Sequence, residues 1–284
     1  MEIAKTIESI RNRIREARKS GKKIGFVPTM GALHSGHVSL IEAASKECDF
    51  IVVSIFVNPT QFAPGEDFQK YPRPIDKDLK MCEEKDVDVV FIPEPDELYP
   101  DKSLTWVNVE KLTEPLCGRY RPGHFRGVTT VCAKLFNIVL PDIAYFGQKD
   151  AQQAIVIKKM VADLNMPLEI AVCPTVREPN GLAVSSRNDY LSKQQRRDAS
   201  VIYKSLQKSQ ELIKSDVTDI KTIISEMRKV LSRIPSLELQ YIEILDAESL
   251  KQIDRVRGKV LIAVAAKLGP ARLIDNIIVD ASKQ

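Results

Sequence analysis

Two short runs, Lys23-Ile-Gly-Phe-Val-Pro28 and Phe50-Ile-Val-Val-Ser-Ile-Phe-Val57, are apolar on both faces and flank a helical pattern from about His37 to Lys46. Strands of that kind belong inside a sheet covered on both sides, which points to parallel pairing. The alternation continues with a helix near Ile75 to Glu84, a strand at Val87 to Ile92, a helix near Thr129 to Leu140, a strand at Asp142 to Phe146, a helix from Ala151 to Leu164 and a strand at Leu168 to Val172. The series predicts an α/β, Rossmann-like, doubly wound parallel sheet with ligands at the carboxyl ends of its strands. Ahead of it, Ile3, Ile7, Ile10, Ile14 and Ala17 recur at steps of three and four, so the first twenty residues are expected to form one amphipathic helix ending at Gly21.

After Arg177-Glu-Pro-Asn-Gly181 the rhythm changes. Helices are expected near Lys193 to Lys214 and Val217 to Arg233, followed by strands over Leu237 to Leu245, Lys259 to Ala266 and Arg272 to Val279. Helices and then neighbouring strands describe a smaller α+β domain. The expected division is therefore residues 1–176 and 177–284.

Composition narrows the function classes. With 42 basic and 38 acidic residues the net charge is only +4, well short of a nucleic-acid binder, though it leaves room for a local anion site. No apolar run approaches the roughly 18 residues needed to cross a bilayer. The N-terminal stretch mixes acids and bases and does not read as a secretory signal, so a cytoplasmic protein without membrane or nucleic-acid partners is expected. The cysteines at 48, 82, 117, 132 and 173 are odd in number and never arranged as C-x-x-C, and they read as reduced thiols, mostly core filler.

The whole chain has three histidines, and two of them, His34 and His37, bracket Ser35-Gly36 directly after the first apolar strand. An H-x-x-H pair can ligate a metal, but no nearby cysteine or histidine completes a tetrahedral set. Histidines near a helix start often only satisfy local hydrogen bonds. Position favours more: the pair follows a strand, contains a glycine where backbone can approach an anion, and opens a helix whose first N–H groups attract negative charge. Three other stretches carry compatible chemistry. Asn58-Pro-Thr-Gln61 offers neutral amides, Gly147-Gln-Lys149-Asp150 a cation beside a carboxylate, and Ser185-Ser-Arg187-Asn188 hydroxyls and a guanidinium. Together they describe a nucleotide site. His124, inside Arg119-Tyr-Arg-Pro-Gly-His-Phe-Arg126, is open between touching RNA, lining the substrate site and capping a helix.

These motifs match a known pattern. Pro28-Thr-Met-Gly-Ala-Leu-His-Ser-Gly-His37 resembles the H-x-G-H signature of the nucleotidylyl transferase superfamily. With Phe56-Val-Asn-Pro-Thr-Gln-Phe62, Tyr71-Pro-Arg73, Arg121 to Gly127, Tyr145 to Asp150 and Arg177-Glu to Asn188, the chain is similar to the pantoate–beta-alanine ligase family over nearly its whole length. The resemblance implies a two-step ligation: ATP and pantoate give pantoyl adenylate and pyrophosphate, then beta-alanine displaces AMP to give pantothenate. It places Met30, Gly31, Ala32, Leu33, His34, Ser35, Gly36 and His37 around ATP, with His34 and His37 on the phosphates and His37 as proton donor. It completes the nucleotide site with Gly147, Gln148, Lys149, Asp150, Val176, Val184, Ser185, Ser186 and Arg187, where Lys149 and Arg187 neutralise phosphate charge. Gln61 and Gln153 hold pantoate. Magnesium is implied alongside ATP, its protein ligand open among Asp150, Asp76 and Asp78, and a homodimer is implied for the chain. Two other readings stand beside this one: a nucleotidylyl transferase acting on a phosphorylated small molecule, and an RNA-binding module using the basic stretches.

Overall fold

The computed structural model describes residues 1–100 and 103–283. The chain divides into two compact units, Met1–Gln148 with Gln152–Pro174, and Lys149–Ala151 with Thr175–Gln284.

The first unit is built on a six-stranded sheet of β1 (Glu2–Ala4), β2 (Ile24–Thr29), β3 (Phe50–Ile55), β4 (Val89–Phe91), β5 (Ile143–Gly147) and β6 (Glu169–Cys173), in the order β1-β4-β3-β2-β5-β6. Every pairing is parallel. Neighbouring residues of the central strands go to opposite cores. Phe26, Val52 and Ala144 pack with Ile10 and Ile14 of α1 (Ile7–Lys19), and Val27, Val53 and Tyr145 pack with Leu40, Ile41 and Ala44 of α2 (Ser35–Glu47). Helix α3 (Ile75–Glu83) joins the second of these layers through Cys82, and the one-turn helices α4 (Pro95–Leu98) and α5 (Cys117–Tyr120) lie in the connection to α6 (His124–Val139). Helices α6 and α7 (Ala151–Asp163) cover the first layer through Phe136 and Ile157. Burial on both faces is what the unbroken apolar runs require. The chain leaves β2 toward β3 and β4 on one side and returns to β5 and β6 on the other, so strand order reverses between β2 and β5.

The N-terminus departs from expectation. Residues 2–4 form an edge strand, with Ile3 opposite Val90, and α1 begins only at Ile7. Thr6 takes an extended conformation and caps the helix, its hydroxyl accepting the Ser9 amide at 3.1 Å. The four-residue step from Ile3 to Ile7 mimics a helical stripe, yet Ile3 lies half exposed on the sheet edge.

The second unit pairs β7 (Leu237–Asp246), β8 (Lys259–Leu268) and β9 (Ala271–Asp280) antiparallel, with β8 central. Its separate core joins Val260, Ile262 and Val264 to Ile202, Leu206 and Ile213 of α9 (Val201–Lys214) and to Ile223, Met227 and Leu231 of α10 (Ile220–Leu231). The single helix expected over 193–214 is two, α8 (Lys193–Asp198) and α9. Between them the Ser200 hydroxyl turns back to the Arg197 carbonyl at 2.7 Å, a local bond that competes with the helical ladder.

All five cysteines are free, and burial pushes the thiols of Cys82 and Cys132 up to about 12, which keeps them protonated and inert. Among the described residues no helix is long and apolar enough to cross a membrane. Separate cores make a direct prediction. Leu206→Ala, at a fully buried position, is expected to cost the second unit about 2–5 kcal/mol. Urea unfolding followed by far-UV circular dichroism should shift to lower denaturant, while the fluorescence of the single tryptophan, Trp106 in the first unit, should keep its midpoint.

Candidate active site

The loop after β2 is shaped by hydrogen bonds that leave it little freedom. Thr29 donates its hydroxyl to the Ser54 carbonyl at 2.7 Å and accepts the Gly31 amide at 3.1 Å. Gly31 sits at φ +79°, and a Cβ there would lie 2.9 Å from Ile55 Cγ2 and 3.0 Å from Asp78 Oδ2, so no side chain fits. Asp78, buried on α3, accepts the amides of Ala32 at 2.8 Å and Leu33 at 2.7 Å, one on each oxygen. Burial pushes its carboxyl above the usual range, against the pull of those two donors. Asp78 was one of three carboxylates open as a magnesium ligand; both of its oxygens instead hold the loop.

Helix α2 then starts with the two histidines. His34 is its cap, with Nδ1 accepting the Gly36 amide at 3.1 Å, and Nδ1 of His37 accepts the His34 amide at 3.3 Å. The rings stack with centroids 4.1 Å apart and 33° between their planes. Because Nδ1 accepts in both rings, the neutral imidazoles carry their proton on Nε2. The pair is thus two oriented N–H donors at a helix N-terminus, a set suited to phosphate oxygens. Gly36 serves this arrangement directly, since a Cβ at that position would come within 2.9 Å of the His34 ring.

After β3, Asn58 and Gln61 form a buried amide pair around a single 3-10 turn, Pro59–Gln61. Asn58 Nδ2 donates to Gln61 Oε1 at 3.0 Å, and Asn58 Oδ1 accepts from the Tyr99 hydroxyl at 3.0 Å and the Thr60 hydroxyl at 2.9 Å. With its oxygen engaged, Gln61 directs Nε2 to Met30 Sδ at 3.0 Å, so two residues from separate loops meet. Gly127 of α6 permits this closeness, because a Cβ there would be 2.4 Å from the Thr60 carbonyl oxygen. Gln153 lies in the first turns of α7, just after β5, and so belongs to the same carboxyl edge of β3-β2-β5.

Gly147 and Gln148 close the first unit's β5 edge, and the second unit holds Lys149, Asp150, Val176 and residues 184–187. Val184 N–H donates to the Val176 carbonyl at 3.0 Å and Glu178 N–H to Leu182 at 2.8 Å, closing a tight hairpin that leads into Ser185. The Ser185 hydroxyl caps the 3-10 turn Ser186–Tyr190 by accepting the Arg187 amide at 3.3 Å. Arg177 stacks on Tyr203 at 3.7 Å and grips Asp275 through two bonds of 2.6 and 3.0 Å. The next residue, Asn276, donates to the Lys149 carbonyl at 2.9 Å. Adjacent residues of β9 therefore anchor both the hairpin before Ser185 and the backbone of Lys149, whose ammonium lies 3.7 Å from Asp150.

A parallel sheet with such loops at its carboxyl edge is common to many nucleotide enzymes, and comparison decides among them. The pantoate-beta-alanine ligase family model matches residues 2–278. The chain is 52% identical to a pantothenate synthetase of Acetivibrio thermocellus over 280 residues, covering 99% of this chain and 100% of that one, and 53% identical to one of Thermosipho africanus, covering 98% and 100%. The chain belongs to the pantoate-beta-alanine ligase family. Its activity is the joining of pantoate to beta-alanine. The crystal structure of pantothenate synthetase from Thermus thermophilus superimposes with a TM-score of 0.93 at 41% identity over 98% of this chain and 99% of that one. A pantoate-beta-alanine ligase of Francisella tularensis, complexed with beta-gamma ATP and beta-alanine, gives 0.81 at 38% identity over 98% and 97%.

Within this ligase, the sequence motifs alone did not show what holds them. The supporting roles of Asp78 and Asn276 come from contacts across 45 to 127 positions of sequence that no local pattern reveals, whereas Asn58 lies only three positions from the Gln61 it holds. The stretch 119–126 is better explained by the fold than by RNA. Arg121 is paired with Glu66 through two bonds of 2.7 Å, and Arg126 stacks on Trp106 at 4.7 Å.

Two expectations follow from these contacts. In Asp78→Asn the carboxamide turns a donor toward one loop amide, so a loss of about 1–3 kcal/mol in thermal unfolding is expected, with a fall of at least tenfold in ligation rate. Burial pushes the Glu66 carboxyl up, but the Arg121 hydrogen bond and charge, with the Ala63 amide, bring it below the usual range. A carboxyl depressed by folding stabilises above its unfolded value, about 4.3 for glutamate, and the contribution is lost as pH falls through the lower folded value. Thermal stability titrated through that acid window should show this component, and Glu66→Gln should remove it.

Proposed function

We propose that ligation runs through an acyl adenylate. A pantoate carboxylate oxygen attacks the α-phosphorus of ATP, the bond to the β-phosphate breaks and pyrophosphate leaves. The amine of beta-alanine then attacks the activated carbonyl, AMP departs, and the amine loses a proton as the amide of pantothenate forms. The observation that carries this reading is the stacked His34–His37 pair with both Nδ1 atoms tied to backbone, beside a loop whose Met30 meets the Gln61 amide.

The chemistry calls for these groups. A carboxylate approaching a phosphate brings two anions together, and the Nε2–H donors of His34 and His37, with the N-terminus of α2, offset that repulsion. In the same reading His37 donates toward the departing pyrophosphate, and Lys149 and Arg187 neutralise phosphate charge. Gln61 and Gln153 hold pantoate with neutral amides that orient its carboxylate without lowering its nucleophilicity. We assign residues 30–37, 147–150, 176 and 184–187 to nucleotide binding. Magnesium fits as an ion carried mainly by phosphate oxygens and water, since no group of three or more His, Cys, Asp or Glu residues among those described is set to hold a metal alone. Asp150, half exposed beside Lys149, would share it, and the ion would spread the charge of the polyphosphate. The enzyme is assigned to the cytoplasm as a homodimer, with Leu104 and Trp106 among its exposed apolar side chains.

The deciding test is pyrophosphate exchange into ATP without beta-alanine. Exchange that depends on pantoate is expected. His37→Ala and Lys149→Ala should fold normally and lose on the order of 10² to 10⁴ in that rate. Exchange without pantoate, or unchanged rates in both variants, would remove the assignment.

A further inference from the structure

The third histidine has no place in the reaction just described, yet its ring is as firmly directed as the other two. His124, the first residue of α6, lies 2.8 Å through Nδ1 from the main-chain carbonyl oxygen of Gln61. Its Nε2 is 3.0 Å from Nη1 of Arg121. A guanidinium can only donate, so Nε2 accepts. The proton must then sit on Nδ1, which donates to Gln61. Arg121 is itself fixed, since Nε and Nη2 each bond to a separate oxygen of Glu66 at 2.7 Å. Each bond in the chain Glu66, Arg121, His124, Gln61 therefore has one direction.

We propose that His124 is a positioning residue for Gln61, held in one tautomer by the Arg121–Glu66 pair. This rests on the assignment of Gln61 to pantoate. Gln61 is clamped at both ends. Its side-chain oxygen is held by Asn58 and its main-chain carbonyl by His124, with a second, longer bond of 3.4 Å from Arg121 Nη2. The 3-10 turn carrying Gln61 packs on Gly127, so the helix bearing His124 also supports the turn. A carboxamide that must orient a nucleophile within a fraction of an ångström gains from such restraint, because small misplacements cost large factors in rate. The groups facing His124 include the Gln61 carbonyl, the Arg121 guanidinium with its Glu66 partner, and the Phe125 ring at 5.0 Å.

Two substitutions separate positioning from bulk. His124→Asn places an amide nitrogen where Nδ1 stood and keeps a donor for the Gln61 carbonyl. His124→Gln is closer in size but carries its amide where Nε2 stood and loses that donor. In pantoate-dependent pyrophosphate exchange, His124→Gln is expected to raise the pantoate KM or lower kcat/KM for pantoate by about 10- to 100-fold, with the ATP KM changed less than about threefold. His124→Asn should stay within about fivefold of the unaltered enzyme. Gln61→Ala is run beside them. If it impairs pantoate use while His124→Gln does not, or if the Asn and Gln variants lose equally, the positioning role is wrong and the site stands. If Gln61→Ala leaves pantoate kinetics unchanged, the assignment of Gln61 falls and the role of His124 falls with it. Should His124→Gln fail to fold, Glu66→Gln breaks the chain at its far end, with the same selective loss for pantoate expected and an unchanged pantoate KM overturning the proposal.

Discussion

One buried carboxylate decides where the loop after β2 goes. Asp78 reaches from α3 to the amides of Ala32 and Leu33, and with Gly31 and Ala32 both at positive φ this turns the chain sharply between β2 and α2. A non-glycine residue at positive φ is costly unless its surroundings hold it there, and the paired amide bonds supply that hold. The loop's exit then sets His34 as the cap of α2, and the cap in turn sets both ring tautomers. If the loop slackened, the histidines would lose the backbone partners that aim them before any ligand arrived.

The same principle recurs at the other side chains proposed to act. Gln61 is aimed by Asn58, and Lys149 is anchored through its carbonyl by Asn276. Arg187 follows a hairpin whose Arg177 is locked to Asp275. The proposed reacting groups are thus ordinary polar residues at loops and helix starts, and their placement comes from buried polar residues behind them. Buried polar groups of this kind are tolerated because they are hydrogen-bonded, and they rigidify what they touch.

Much of the architecture was legible in the residue pattern. Strands apolar on both faces, spaced by helical stripes, leave few folds other than a covered parallel sheet, and the H-x-G-H stretch fell at the carboxyl edge that such a sheet makes available. Local periodicity failed where a neighbour in space outweighed it. Ile3 completes a helical stripe on paper, but pairing with β4 satisfies the backbone of residues 2–4 and Thr6 caps the helix that follows. The run 193–214 is helical throughout by pattern, yet a serine hydroxyl divides it. Asp78 read as one of three interchangeable acids until its distance to two loop amides set it apart.

The sequence by itself determined the covered parallel sheet, the strands that follow it and the family, because periodicity, charge and motif spacing are local properties of the chain. Only the tertiary structure decided which nitrogen of each histidine carries a proton, which acid serves the loop, and that Lys149–Ala151 groups with the second unit although its flanking residues group with the first. Those outcomes depend on hydrogen-bond partners brought together from distant positions, and a donor or acceptor has no direction until its partner is in place.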